Sequence, residues 1–594
     1  MKLSDYLADF LSRQGITHVF LVSGGAIIHS VDSAAKHPSL RVVCAQHEQG
    51  AGAAADGYAR IARRPGAVMV TSGPGGTNLT TSVANAFFDS IPVIFICGQV
   101  ATFRIRKSAR LRQKGFQETD VVSVFKSITK YVAQIQKPED IRYELEKATF
   151  LAQDGRPGPV LLDIPDDIQR ADIIPADLKA FVPPSKEVLD LHAPVDGFLS
   201  LLKESRRPVV IMGAGVSITR TAGPALRFFE NFGLPVLLTW GGKDLVPADH
   251  PLNMGGLGVC GPRAGNFAVQ NADLVMALGT RLSQMITGGK PALFAPGAKK
   301  VMVDIDREEL AKFTKDEFSL DLGIEADLRD FFEALEDARP EPGSGDPFAR
   351  WREQIKTWGR TYPVCTPERY QRKDKVDGVV FINELSAELP EGVTVVADTG
   401  ANLAWTMQTF RVKPRQRIIS AWNHTPMGYA LPASVGAACA SGQEVVCVTG
   451  DGGIMMSLEE LGTVRRYDLP VKIFIMFNQG HGIQRQTIDT WLDSRYTAVD
   501  EPSGLYFPDF RSIAAGFGLP YVNIKNHTDV QPALEEVLKM PGPVLCVVEI
   551  LKDQKIVPML KFGAGLEDLD PKLPADELQQ IMRVSDDISC RTGL

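Results

Sequence analysis

Cysteine is scarce in these 594 residues: there are eight, at positions 44, 97, 260, 365, 439, 447, 546 and 590, with no CxxC pair and no Cys/His cluster. That scatter excludes a disulfide framework and a thiolate metal site, and apolar surroundings such as VIFIC and EVVCV predict reduced core residues. Long apolar runs are missing as well. No stretch of roughly 18 apolar residues occurs, so no transmembrane helix is expected. The opening MKLSDYLADFLSRQG sets Asp5 and Asp9 in a helical period, where a signal peptide needs an unbroken apolar stretch. The expected compartment is the cytoplasm. Positive charge is also in short supply: 64 Lys and Arg face 71 Asp and Glu, and a net charge of -7 leaves no electrostatic footprint for nucleic acid or an anionic membrane. What is present is ordinary globular usage, 44% apolar and 23% charged, which excludes extended disorder, collagen-like repeats and a coiled-coil rod. At roughly 150 residues per domain the chain accommodates several cores.

Short β-branched apolar runs alternate with amphipathic segments of helix length, which predicts the α/β class with parallel sheets covered on both faces. Strands are expected near 18–23, 41–45, 67–72, 92–98 and 159–164 in a first unit, residues 1–180. A Pro-rich, charged linker from Phe181 to Asp196 separates it from a second unit, 195–337, built on RPVVIMGAG, LPVLLTW, DLVMALGTR and KKVMVDID. The polar run ARPEPGSGDP (338–347) marks the next boundary. The third unit, 366–594, opens with a helix over Asp377–Leu389 and continues through VTVVAD, EVVCVTGDGG, VKIFIMFNQG and VLCVVEI. Its nearly all-apolar strands fit a sheet buried on both faces.

Segment 444–482 carries the most chemistry. An apolar strand ends in Gly-Asp-Gly-Gly, a helix with Ser457 as candidate N-cap follows, and a second apolar strand ends at Asn478. In a doubly wound sheet the carboxyl ends of strands form the crevice, so Asp451 and Asn478 are expected to meet. A carboxylate, an amide oxygen and glycine carbonyls are hard ligands suited to Mg²⁺ shared with a diphosphate. GDG alone is a turn. In this order and spacing the segment resembles the signature of the thiamine diphosphate (ThDP) enzymes. The resemblance implies metal ligation by Asp451, Asn478 and the carbonyl of Gly480, with Gly452, Gly453, His481 and Gly482 beside the cofactor. The family's usual first Asn of the pair is Phe477 here.

Four further segments extend the likeness over essentially the whole chain. CAQHEQGAGAAADGYAR (44–60) is similar to the family segment whose glutamate hydrogen-bonds the aminopyrimidine ring and lets the cofactor act as its own base, the role implied for Glu48. VTSGPGGTNLTTSVANAFFDSIPVIFICGQV (70–100) looks like the acetohydroxyacid synthase (acetolactate synthase) and pyruvate oxidase branch, and GFQETD after it makes Phe116 and Gln117 substrate-site candidates. HTPMGYALPASVGAA (424–438) places Thr425 at the cofactor and Met427 where the family has the bulky apolar residue that holds it bent. TGAN, Thr399 to Asn402 with Gly400 and Ala401, is expected to offer backbone N–H groups to the diphosphate. In the middle unit Gly213 and Gly215 of GAG, MGGLG (254–258) and Arg281 match places where the flavin-containing branch holds FAD, whose role here is structural because decarboxylation and ligation need no net redox change.

The resemblance implies three doubly wound domains, binding in turn the pyrimidine, the flavin and the diphosphate. The active site lies between subunits, with Glu48 of one opposite Asp451 of another, in a homodimer or homotetramer. Pyruvate is decarboxylated and its acetyl unit transferred to a second carbonyl. Two departures bear on that acceptor. The family's Arg-Phe-Asp-Asp-Arg reads RLSQM, so the second Arg is Met285, and the Trp associated with 2-ketobutyrate preference is Thr487. Losing a guanidinium removes bidentate carboxylate recognition. The first βα turn has Ser23 in place of Pro and sets His29 just inside the next helix, so His29 and His481 become candidates for protonating the product alkoxide. GIQRQT and the tail KFGAGLEDLDPKLPADEL look more like carboligases that act on a nucleotide-linked ketosugar. The alternative reading is a 2-ketoacid decarboxylase or a pyruvate oxidase-type enzyme.

Overall fold

A computed structural model describes residues 1–108, 110–186, 189–313, 318–340, 345–372 and 374–590, with side chains to 582. The strands of the first sheet are β1 (His18–Val22), β2 (Arg41–Cys44), β3 (Gly66–Val70), β4 (Val93–Gln99), β5 (Tyr131–Gln134) and β6 (Val160–Pro165), in the order β2-β1-β3-β4-β6-β5. The second sheet holds β7 (Pro208–Met212), β8 (Val236–Leu238), β9 (Asn253–Gly256), β10 (Leu274–Leu278), β11 (Lys299–Asp304) and β12 (Leu322–Glu325), ordered β12-β11-β10-β7-β8-β9. The third holds β13 (Thr394–Ala397), β14 (Arg417–Ile419), β15 (Val445–Gly450), β16 (Val471–Phe477), β17 (Tyr521–Ile524) and β18 (Val544–Glu549), ordered β14-β13-β15-β16-β18-β17. All three six-stranded sheets are parallel, with helices between successive strands, as the α/β reading expects.

In each sheet the chain starts on an inner strand, builds toward one edge, then crosses back to build toward the other. That reversal falls between β1 and β3, between β7 and β10, and between β13 and β15. Neighbouring strand ends there lead their connections in opposite directions, which opens a crevice at the carboxyl edge.

The helix Glu48–Ala62 is made largely of Ala and Gly, and its small side chains let it pack against Ala430–Ser441 at backbone distance. A Cβ on Gly436 would overlap the carbonyl oxygen of Ala54, and one on Gly57 that of Ala433. Gly436→Ala is therefore expected to cost about 1–3 kcal/mol or more, read as a lower denaturation midpoint by circular dichroism. An unchanged midpoint would show that these helices can separate freely.

Several sequence expectations need adjustment. The helix expected over Asp377–Leu389 spans Gly378–Glu388, capped by the Asp377 carboxylate accepting the N–H groups of Val379 and Val380. Ser457 is no N-cap: the chain turns helical directly at Asp451–Ile454 and again at Glu460–Arg466, and the Ser457 hydroxyl lies buried without a hydrogen-bond partner. The linker read to Asp196 ends earlier, because the helix His192–Glu204 starts inside it. Cysteines 97, 260, 447 and 546 are buried and free, but Cys44 is exposed on edge strand β2, and Cys365 and Cys439 are half-buried. The side chain of Cys590 lies outside the described residues. The tail crosses back onto the middle unit, where Asn266 donates to the Leu566 carbonyl at 2.9 Å and Gln270 to Glu567 at 2.6 Å. Among the described residues no helix is long and apolar enough to cross a membrane.

Candidate active site

The carboxyl ends of β13 and β15 meet at the reversal point of the third sheet. Asp451 follows β15 directly and is 1% exposed. Its Oδ1 accepts the Gly452 N–H at 2.7 Å, and its Oδ2 accepts the backbone N–H groups of Asn478 at 3.0 Å and Gly480 at 3.3 Å. Asp451 and Asn478 are thus brought together as the strand order predicts, through the Asn478 backbone. Burial pushes the Asp451 carboxyl up to about 6, against the lowering effect of these N–H donors. No ion pair to it exists among the described residues, so this buried carboxylate has only backbone N–H groups to balance its charge. No cluster of three or more His, Cys, Asp or Glu able to hold a metal occurs among the described residues. A site here must draw on amide, carbonyl and phosphate oxygens.

The glycines leave room that side chains would fill. A Cβ on Gly452 would stand 2.6 Å from Nε2 and Cδ2 of His481 and 3.1 Å from Cε of Met427, so these three converge on one space. A Cβ on Gly453 would meet Oδ2 of Asp398 at 2.6 Å. His481 opens the helix Gly482–Trp491, and burial, with Arg485 beside it, lowers its pKa below the usual imidazole value. Thr425 holds φ +50°, a conformation that costs a β-branched residue energy, just before Met427. Gly400 (φ +115°) precedes the helix Ala401–Thr409, whose N-terminus lies at the carboxyl end of β13. Asn402 turns back to donate to the Asp398 carbonyl at 2.8 Å.

At the first sheet, β2 leads into Glu48, the first residue of its helix, with His47 as N-cap accepting the Gln49 N–H. Glu48 is buried, and its Oε2 accepts from Asn78 Nδ2 at 2.8 Å. A Cβ on Gly75 would lie 3.5 Å from its Oε1. Gln117 (φ +63°) packs against Gly73 (φ +65°), two residues before Gly75, while Phe116 is 85% exposed. His29 lies half-buried in the first turn of Ile28–Lys36, its carbonyl accepting from Lys2 at 3.4 Å. No hydrogen bond joins it to Glu48, Asn78 or the Gly452–His481 group among the described residues.

The reversal point of the second sheet opens a cavity of about 370 Å³ walled by all three units. Gly215, Gly279, Thr280, Arg281 and Met285 come from the middle, Asp89 and Arg156 from the first, and Trp422 and Asn423 from the third. Gly213 sits behind this wall, its N–H on the Leu278 carbonyl at 3.0 Å. The MGGLG stretch is not part of the wall but lies behind Met285, whose carbonyl accepts from Val259. Thr487 is exposed on its helix, its hydroxyl bonded back to the Ile483 carbonyl.

Four residues of the site escaped sequence reading. Buried Asp398 accepts from Thr449 Oγ1 at 2.9 Å and from the N–H groups of Thr399 and Gly428, and burial holds it at about 6. Asn78 steadies Glu48, Glu460 receives the N–H groups of Gln46 and His47, and Arg485 donates to the carbonyl of Gln479 at 2.7 Å. Only Asp398 left a usable mark, as a carboxylate closing an apolar strand immediately before TGAN.

Three parallel sheets, each with its crevice, and a carboxylate-and-glycine pocket at the third define a class, and family comparison agrees with it. The thiamine pyrophosphate enzyme profiles match in order: the N-terminal TPP binding domain over residues 1–124, the central domain over 195–335 and the C-terminal TPP binding domain over 398–548. Acetolactate synthase 1, chloroplastic, of Oryza sativa subsp. japonica is 33% identical over 585 residues, covering 96% of this chain and 87% of that protein. The isozyme 1 large subunit of Escherichia coli (strain K12) acetolactate synthase is 33% identical over 564 residues, 95% and 96% of the two chains, and isozyme 2 is 34% identical over 576 residues, 96% and 100%. The chain belongs to the ThDP-dependent enzymes, in their acetolactate synthase-like branch.

Proposed function

We propose that this enzyme decarboxylates pyruvate and transfers the acetyl unit to a second carbonyl, with a non-acid ketone such as a nucleotide-linked ketosugar as acceptor. Residues 1–180, 195–337 and 366–594 serve as its pyrimidine, flavin and diphosphate units. One observation carries the reading. Two buried carboxylates, Glu48 and Asp451, each stand at the carboxyl edge of a doubly wound sheet, one held by a side-chain amide and one by backbone N–H groups.

The residues present fit the cofactor and its ion. Asp451, Asn478 and the Gly480 carbonyl would hold Mg²⁺, and Thr399 to Asn402 the diphosphate. Met427 would support the bend, with Thr425, Gly452, Gly453, His481 and Gly482 lining the rest. When bound, ThDP supplies the electron sink that decarboxylation of a 2-ketoacid requires. Glu48 would hydrogen-bond the pyrimidine ring, and its burial would keep water from competing for that bond. Phe116 and Gln117 border the acceptor, and His481 and His29 are the candidates to deliver a proton to the new alkoxide. FAD is proposed for the three-walled cavity, with Gly215 and Arg281 at its wall and Gly213 behind it, as a structural element. The proposed active unit is a homodimer or homotetramer, with Glu48 of one copy opposite Asp451 of another.

Labelled pyruvate, ThDP and Mg²⁺ with a panel of ketones, followed by mass spectrometry, tests this reading. Slow acetolactate formation overtaken by a branched adduct is the expected result. Acetaldehyde or peroxide as the main product would make it a decarboxylase or oxidase, and abundant acetolactate unaffected by other ketones would return the acceptor to pyruvate. His29→Ala is expected to slow turnover with the true acceptor, and full activity in that variant removes His29 from the mechanism.

A further inference from the structure

The net charge of -7 conceals a local reversal. Residues 101–120 hold six cations, Arg104, Arg106, Lys107, Arg110, Arg112 and Lys114, against two carboxylates, Glu118 and Asp120. Both carboxylates are already engaged. Buried Glu118 accepts the backbone N–H groups of Arg106 at 2.8 Å, Lys114 at 2.7 Å and Gly115 at 3.1 Å. Asp120 caps the helix Val121–Phe125, accepting the Ser123 N–H at 3.1 Å and its hydroxyl at 2.8 Å. Among the described residues Arg106 is the one cation that reaches them, 3.4 Å from Asp120 and 3.9 Å from Glu118, and it also donates to the carbonyls of Leu111 and Arg112. Lys114 donates to the Phe103 carbonyl, and Arg104 lies over the Phe103 ring.

Glu118 and Arg106 thus clasp the loop at its base and spend its negative charge on the backbone. Lys107, Arg110 and Arg112 stand exposed beyond the clasp, and among the described residues none of their side chains has a hydrogen-bond or ion-pair partner. Three bare cations on a braced loop favour an external anion of more than one charge, with the guanidinium forks matched to phosphate oxygens. A 2-ketoacid carboxylate carries one.

The loop's position gives the anion a purpose. Its far end, Gln117, packs on Gly73, and Gly75 faces Glu48. The base of the loop therefore stands on the Glu48 side of the candidate active site. In the same loop, Phe116 and Phe103 are 85% and 63% exposed, flat apolar faces of the kind on which a nucleobase stacks. We propose that the loop captures the diphosphate of the acceptor through Lys107, Arg110 and Arg112, with its nucleoside against Phe116 or Phe103, so that the acceptor is a nucleoside-diphosphate-linked ketone. This rests on the reading above that the acceptor is a non-acid ketone. A nucleic acid is disfavoured because the chain as a whole is acidic, with a net charge of -7.

The test uses the holoenzyme saturated with ThDP, Mg²⁺ and FAD, so that both cofactor sites are filled. Cytidine and uridine 5′-diphosphate are titrated calorimetrically into the parent and into the triple variant Lys107→Ala, Arg110→Ala, Arg112→Ala. The variant is expected to bind at least about tenfold more weakly, and parental affinity to fall as salt rises from about 50 to about 300 mM. With a diphosphate-linked ketone, KM should rise by a similar factor at unchanged kcat. Equal affinities, absence of nucleotide binding by the parent, or an unmoved KM would each overturn the proposal. Cation-dependent nucleotide binding without ligation of any non-acid ketone would instead overturn the reading of the acceptor, because the binding measurement involves no turnover.

Discussion

Replacing Glu48 with Gln is expected to leave a folded enzyme that binds ThDP and Mg²⁺ yet releases CO₂ from pyruvate at least about 100-fold more slowly. Gln keeps the size of Glu, and the partner of Glu48 is the neutral amide of Asn78, so no buried charge is stranded by the change. What disappears is the carboxylate that can share a proton with the cofactor's ring. The binding proposed for Asp451 and the Thr399–Asn402 segment is separate from it, because these belong to the third sheet. The measurements are cofactor affinity by calorimetry and CO₂ release under cofactor saturation. A variant that binds and decarboxylates as fast as the parent would reduce Glu48 to a structural residue.

The second large effect concerns stability. Arg60, with a side chain 6% exposed, donates through Nε to Asp56 at 2.6 Å and through Nη2 to Asp89 at 2.7 Å, both carboxylates being buried. Tyr429 donates its hydroxyl to Asp56 at 2.5 Å. Asp89 also accepts the N–H groups of Trp422 and Asn423 and the Asn423 side-chain amide, and Asn423 in turn accepts from Arg281 at 2.7 Å. The network therefore ties the first and third sheets together and reaches the wall of the interdomain cavity. Arg60→Met strands two desolvated carboxylates at once, and a loss of about 3–5 kcal/mol is expected, read as a fall in the urea midpoint. Combining Arg60→Met with Asp56→Asn and Asp89→Asn should recover part of it, because no unpaired charge then remains. A loss below about 1 kcal/mol in the single variant would mean that water reaches the pair.

The strands show which information is local. All twelve inner strands of the three sheets were expected from apolar runs, because a strand covered on both faces by helices must be apolar along its whole length. Of the six edge strands only β2, RVVC, was expected. β5, β9, β12, β14 and β17 are short and carry exposed or half-buried positions, so YVAQ, NMGG, LGIE, RII and YVNI have no distinctive run. They are strands because an inner strand offers them a row of backbone partners.

The site divides in the same way. Sequence alone determined the α/β class and the family, and it singled out the candidate residues whose order along the chain is itself the signal: Glu48 after an apolar strand, Asp451 in its glycine turn, Asn478 at the next strand end. Tertiary structure alone decided what holds them. Asn78 lies 30 residues from Glu48, and Asp398 meets Thr449 across 51 residues. Asp89 and Asn423 are 334 residues apart. No spacing rule anticipates such partners, since a buried polar group accepts any donor that the packing of distant elements delivers. The same holds for Ser457, whose position suits a helix cap and whose hydroxyl the fold leaves unpaired, and for the cations of the 101–120 loop, left bare because the fold spends Glu118 on the backbone.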